Sequence, residues 1–163
     1  MPPTIHQYLS QDHARLDALL AQAIADPHRI DDAAYNEFRA GLLRHIAMEE
    51  KVLFTDARVR NDAAVAHVIE ILHADHAAIA SLLVPSPTHA LIATLQSVLH
   101  EHNPLEELPG GFYEQCDHAA GDSVSTVIAR MQAIAPVRAS KHVDEARIHD
   151  HIERMLAARK HVR

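Results

Sequence analysis

One cysteine, Cys116, stands alone in the chain, so no internal disulfide can form, and its setting fits a reducing compartment. Tryptophan is absent, aromatic residues make up only 4% and there are 4 glycines. Alanine and leucine dominate instead, which predicts an all-helical fold. No basic cluster exists, and the formal net charge is -7 with histidine neutral, which argues against a nucleic-acid partner. The start, MPPTIHQYLSQDH, has neither a basic n-region nor an apolar h-region, so no signal peptide is expected. No apolar run approaches the roughly 18 residues that span a bilayer, so no membrane partner is expected either. Together these absences predict a cytoplasmic protein.

What the chain has in excess is histidine, 15 in 163 residues, a length that suits one domain with a real core. Periodicity predicts a first helix over about 5–25, with Thr4 as N-cap and Gln7 completing a capping box. After the breaker DPHRID, a second helix begins after Asp31 or Asp32 and runs to about Val59. Asn61 and Asp62 cap a third, which fades near Val84. Ser86 and Pro87 signal the start of a fourth, and Pro109, Gly110 and Gly111 end it by Leu108. Two further helices are expected, over about 123–134 and about 143–159, the last facing inward through Ile148, Ile152, Met155 and Leu156. The predicted architecture is an up-down-up-down four-helix bundle, residues 1–115, with a C-terminal helical extension, residues 116–163, packed on it.

An internal repeat organises the first unit. QDHARLDALL resembles ADHAAIASLL, and RHIAMEEKVLF resembles EHNPLEELPGGF. His13 maps to His76, His45 to His102 and Glu49 to Glu106. At helical spacing each apolar stripe is broken midway by histidine. The stripes are Leu9, His13, Leu16, Leu20; then Phe38, Leu42, His45, Glu49, Leu53; then Ile69, Leu72, His76, Ile79, Leu83; and Leu91, Leu95, Val98, His102, Glu106. Counted along the helices at about 1.5 Å per residue, His13, His45 and His76 fall at one level. His102 matches less well, which requires either a late start to the fourth helix or a turn that climbs past the third.

Four imidazoles and two carboxylates at one level would make a poor core without a cation among them, because unpaired buried carboxylates cost several kcal/mol each. HxxxE at i, i+4 puts both groups on one helix face. Facing copies supply two carboxylates that can bridge two metals, and His13 and His76 complete the set. Imidazole with carboxylate and no thiolate suits iron or manganese in a bundle core, whereas zinc favours a closed four-coordinate site without this symmetry.

The order Asp12-His13, then His45 to Glu50 as HxxxEE, then Asp75-His76, then His102 to Glu107 as HxxxEE resembles the haemerythrin-like, or HHE cation-binding, family over roughly residues 4–115. The resemblance implies a four-helix bundle holding two non-haem iron ions, oxo- or hydroxo-bridged, that react with dioxygen, nitric oxide or peroxide. The implied ligands are His13, His45, Glu49, His76, His102 and Glu106. Manganese is the other metal this donor set admits. Oxygen-carrying members place a fifth histidine four residues after the His76 position; here that residue is Ala80. They also end in HxxxxD, where this chain has Glu107. The four-His, two-Glu set is more similar to members associated with iron-sulfur cluster repair and stress, and to bacterial haemerythrin-like enzymes, which points away from simple oxygen carriage. Three readings stay open: a protein that binds or senses dioxygen or nitric oxide; a redox or stress enzyme that reduces peroxide or nitric oxide, or serves cluster repair; and a non-catalytic helical interaction module.

Other residues draw plainer expectations. Pro104 removes a helical hydrogen bond to His100 and is expected to kink or break the fourth helix, with Asn103 able to cap a new turn. Asp12 and Asp75 are expected to face outward. His73 is expected beside the centre or on the surface rather than as a ligand, and His100 and Glu107 either orient ligands or face solvent. His142, His149 and His151 are expected on the surface, and Cys116 as a buried small hydrophobe. Tyr8, Tyr35 and Tyr113 are read as packing residues, with chemistry reserved for any that stands near the metal.

Overall fold

A computed structural model describes all 163 residues, and it contains helices and no strands. Helix α1 spans Ile5–Ala23 and starts at the expected capping box between Thr4 and Gln7. Helix α2 spans Asp32–Met48 behind the N-cap Asp31; it continues as a π-helical stretch, Glu49–Phe54, and a last α-helical turn, Thr55–Val59. Helix α3 spans Ala63–Leu82 with Asp62 as N-cap. Helix α4 spans His89–Glu107. These four form the predicted bundle, with α1 packed along α2 and α3 along α4.

The rest of the chain closes the bundle. Helix α5, Phe112–Ala120, was not anticipated, and α6, Val124–Gln132, follows it closely. Helix α7, Ala146–Val162, lies along α3 and inserts Ile152 into the core, with Ile148 and Leu156 packed beside it. The linker to α7 is strapped to the end of α3. Val143 donates to the Val84 carbonyl, and buried Arg39 donates to the carbonyls of Leu83 and Ser140, both at 2.6 Å.

Three expectations about the third and fourth helices need correction or refinement. Ser86 does not start α4: its backbone N–H and its hydroxyl both donate to Asp144, each at 2.7 Å, and Thr88 is the N-cap. Helix α4 therefore begins later than expected, and His102 stands beside His76 with the ring centroids 5.0 Å apart. Pro104 sits inside α4 without ending it, and the helix runs on to Glu107. Helix α3 also has the length and hydropathy, 20 residues at a mean of 1.2, to cross a membrane by composition alone, contrary to the reading of the bare sequence. Here it is a bundle helix that turns Asp75 and His76 inward.

The apolar core is split in two. One cluster gathers Leu9, Val52, Phe54, Leu72, Phe112 and Met131 with their neighbours. The other gathers Leu16, Phe38, Leu42, Ile79, Leu95 and Ile152 with theirs. Between them, along every bundle helix, lies a polar layer that includes His13, His45, Glu49, Asp75, His76, His102 and Glu106.

The turn between α4 and α5 needs its two glycines for different reasons. Gly110 has φ +79°, a backbone that L side chains rarely adopt. Gly111 approaches the end of α4 so closely that a Cβ would stand 2.7 Å from the carbonyl oxygens of Glu106 and Leu108. Backbone cannot yield as a side-chain tip can, so Gly111→Ala is expected to destabilise the fold by about 1–3 kcal/mol. Urea unfolding of the purified variant checks this; an unchanged midpoint would show that the turn relaxes freely.

Candidate metal centre

All six side chains singled out by the repeat converge in the polar layer. Glu49 and Glu106 are 0% exposed, and none of the four histidines exceeds 7%. Each carboxylate divides its oxygens between two pairs of imidazoles. On one side Glu49 Oε2 lies 3.1 Å from His76 Nε2, and Glu106 Oε1 lies 3.1 Å from His102 Nε2. On the other, Glu49 Oε1 lies 3.4 Å from His45 Nε2, and Glu106 Oε2 lies 3.6 Å from His13 Nε2. The geometry is that of two adjoining pockets sharing two carboxylate walls.

The backbone explains how α2 presents its acids. The π-helical turn opens at Glu49, and it lets two consecutive acids serve the interior. Glu49 points to the centre, while Glu50 reaches His76 Nδ1 and His73 Nδ1, both at 3.0 Å. The same turn buries Val52, Leu53 and Phe54 in succession, and the Phe54 ring stacks on His76 at 5.6 Å. On α4, Pro104 lies between His102 and Glu106, yet the helix keeps them side by side.

Each imidazole turns Nε2 inward and Nδ1 outward onto a carboxylate. His45 Nδ1 meets Asp12 at 2.8 Å, and His102 Nδ1 meets Asp75 at 3.2 Å. His76 Nδ1 meets Glu50, and His13 Nδ1 meets Glu107. Asp12 and Asp75 thus do not face outward as expected; Asp75 is 0% exposed. The four contacts run in a ring, α1 to α2, α2 to α3, α3 to α4 and α4 to α1. Partners of this kind fix which nitrogen is free and where the ring points. The repeat held the clue, since Asp12 with Asp75 and Glu50 with Glu107 keep the spacings of the inner residues.

Electrostatics follow from this packing. Burial alone pulls an imidazole down, but Glu49 and Asp12 outweigh it and hold His45 at about 10. Glu106 and Asp75 do the same for His102, also at about 10. Burial raises the Glu49 carboxyl, but His45 and His76 hold it well below the usual carboxylate range. Asp75 is lowered to about 2, because hydrogen bonds from His102 and Arg159 overcome its burial.

The donors fit a cation. Glu49 Oε2, His76 Nε2 and Glu106 Oε1 are buried without a hydrogen-bond partner, although the first two are 3.1 Å apart. Their lone pairs converge rather than pair. The ligating atoms of Glu49, His76, His102 and Glu106 all lie within 4.8 Å of one another. Buried polar atoms are almost always satisfied, so this convergence marks a place for a positive ion.

Residues beyond the six also sort themselves. His73 touches Glu50 and not the centre, and His100 is exposed. His149 and His151 are exposed, and His142 lies against the Tyr35 ring. Cys116 is buried in the apolar cluster, and burial pushes its thiol up to about 12, while His118 faces solvent. Of the three tyrosines read as packing residues, Tyr113 is the one that stands at the centre. Its hydroxyl donates to Glu49 Oε1 at 2.5 Å and lies 3.1 Å from Glu106 Oε2, 3.2 Å from His45 Nε2 and 3.5 Å from His13 Nε2.

A four-helix bundle with bridging carboxylates and inward imidazoles defines a class of intrabundle cation-binding proteins. The chain belongs to the haemerythrin family: the model described as Hemerythrin HHE cation binding domain matches residues 4–110. No curated protein and no solved structure matches the chain. The family implies a bound metal cation, and the His/Glu cluster is suited to hold one.

The two aspartates differ in a testable way. Asp75 carries buried Arg159 of α7 at 2.8 Å and Arg163, the residue just after α7, at 2.6 Å. Asp12 carries Arg15, whose side chain is 47% exposed. Asp75→Ala leaves the buried Arg159 guanidinium with only the half-exposed Glu101 carboxylate at 3.0 Å and is expected to cost on the order of 3 kcal/mol. Asp12→Ala should cost clearly less, since water can take the place of its partner. Unfolding of both metal-free variants compares them; equal losses would refute the distinction.

Proposed function

We propose that this protein holds two non-haem iron ions, one between His13 and His45 and one between His76 and His102, with Glu49 and Glu106 bridging them, and that the centre binds or senses dioxygen or nitric oxide. The observation that carries this reading is the division of each glutamate's two oxygens between two imidazole pairs. A single ion would leave one pair and one oxygen of each acid without a role. Iron bound there supplies the capacity to take up a diatomic ligand and to change redox state.

The chain's residues do the remaining work. The four imidazoles bind through Nε2, and their Nδ1 partners keep that nitrogen presented. Glu49 and Glu106 neutralise positive charge from within. The two apolar clusters keep bulk water from both sides of the polar layer. With every proposed ligand at most 7% exposed, a diatomic molecule suits the space better than an organic substrate.

Metal analysis and gas titration test the proposal together. Protein loaded with ferrous iron should carry about two irons per chain. Anaerobic titration with nitric oxide, or exposure to dioxygen, should give a saturable change in the visible spectrum. Glu49→Ala should lose most of the iron, because it removes one donor from each ion. Full iron retention in that variant, or a loaded protein indifferent to both gases, would remove the reading.

A further inference from the structure

We propose that the Tyr113 hydroxyl oxygen is a further protein ligand, bound to the ion held by His13 and His45; this rests on the two-metal reading above and goes beyond it. The position of the oxygen is the argument. It stands 2.5, 3.1, 3.2 and 3.5 Å from Glu49 Oε1, Glu106 Oε2, His45 Nε2 and His13 Nε2. Those four atoms are the donors of one pocket. Ligands about 2.1 Å from a common first-row metal ion stand about 3.0 Å apart on an octahedral edge and about 3.4 Å apart on a tetrahedral one. Three of the four spacings match the edges of one coordination shell with the phenol oxygen as a member, and the shortest, to Glu49, is the hydrogen bond that metal binding would replace.

The fold delivers this residue on purpose-built backbone. Tyr113 is 0% exposed and sits in the first turn of α5, two residues after the tight approach at Gly111. Asp117, one turn further along α5, accepts from the backbone N–H groups of Ile5 at 2.6 Å and His6 at 3.1 Å, which ties α5 to the start of α1. The ring packs between His13, at 5.9 Å, and Phe112, at 6.5 Å. No other hydroxyl enters the pocket of His76 and His102, where three donors remain unpartnered. The two pockets are therefore inequivalent. In this reading Tyr113 takes a coordination position beside His13 and His45, whereas the His76–His102 side has no such group and carries Ala80 four residues after His76.

Ligation exchanges the phenolic O–H bond for an oxygen–metal bond, and the proton leaves to solvent; no electrons are transferred in that step. The alternative role is a hydrogen-bonding plug that stays protonated on Glu49 when metal is present. The two roles differ spectroscopically. Wild-type protein and Tyr113→Phe are loaded with ferrous iron, oxidised with air, assayed for iron and examined by resonance Raman within the visible band. Ligation predicts enhanced tyrosinate ring vibrations in the wild type that shift when ring-deuterated tyrosine is incorporated. It predicts their complete loss in Tyr113→Phe. An iron-loaded wild type without those vibrations overturns the proposal, even if the variant does not fold. So does a Tyr113→Phe protein with an unchanged spectrum. A wild type that takes up no iron overturns the two-metal reading as well, and the iron assay tells the two failures apart.

Discussion

Two glutamates with no solvent exposure, placed between two apolar clusters, are the constraint to which the rest of the structure answers. A carboxylate in such a place is tolerable only if its charge is met on every side. The chain meets it with four imidazoles and then steadies each imidazole with a second carboxylate farther out. Three of the outward acids, Asp12, Glu50 and Glu107, lie nearer water, where holding charge is less costly, while Asp75 is fully buried and is met by Arg159 and Arg163. Charge thus alternates from the centre to the surface, and the ring it forms crosses every adjacent pair of bundle helices. The same contacts that position the donors also set how the helices sit against one another.

The two halves of the repeat have drifted apart in ways that matter physically. In α2 a π-helical turn brings two adjacent acids to bear, one central and one on His76. In α4 a proline interrupts the hydrogen-bond ladder at a similar place, and both acids are again used, Glu106 at the centre and Glu107 on His13. Consecutive side chains on a helix point about 100° apart, so in each pair one acid faces the centre and the other faces the seam with the next helix, as Asp12-His13 and Asp75-His76 do on the regular helices α1 and α3.

The inner six residues were legible because the repeat and the helical period agreed on them. The outer four were not, for a reason rooted in helix geometry. If His13 faces the centre, Asp12 must face elsewhere, and elsewhere reads as solvent when only one helix is considered. In the bundle, the neighbouring direction is the seam with α2, where His45 waits. Asp75 and His102 repeat the case on the α3–α4 seam, and there Arg159, far along the chain, completes the burial. Tyr113 lay outside reach altogether: it belongs to no repeat, and its approach depends on a glycine turn whose close packing against α4 is visible only in three dimensions. Of the kink or break expected at Pro104, the break did not occur: the helix runs on to Glu107, with Glu106 3.1 Å from His102.

Stiffness ties these features to function. The four imidazoles are held at both ring nitrogens' ends, by packing and by carboxylates, so their Nε2 atoms have little freedom to follow an ion of the wrong size or geometry. Asp75 is fixed more firmly than Asp12, because α7 and the residue after it bring two guanidinium groups to it while Asp12 has one exposed arginine. The His102 side of the centre is therefore anchored to the C-terminal helix, and the His45 side to the α1–α2 seam. The C-terminal segment thus makes the two halves of the bundle unequal, since it sets Arg159 against Asp75, while the arginine on Asp12 is Arg15 of the same helix.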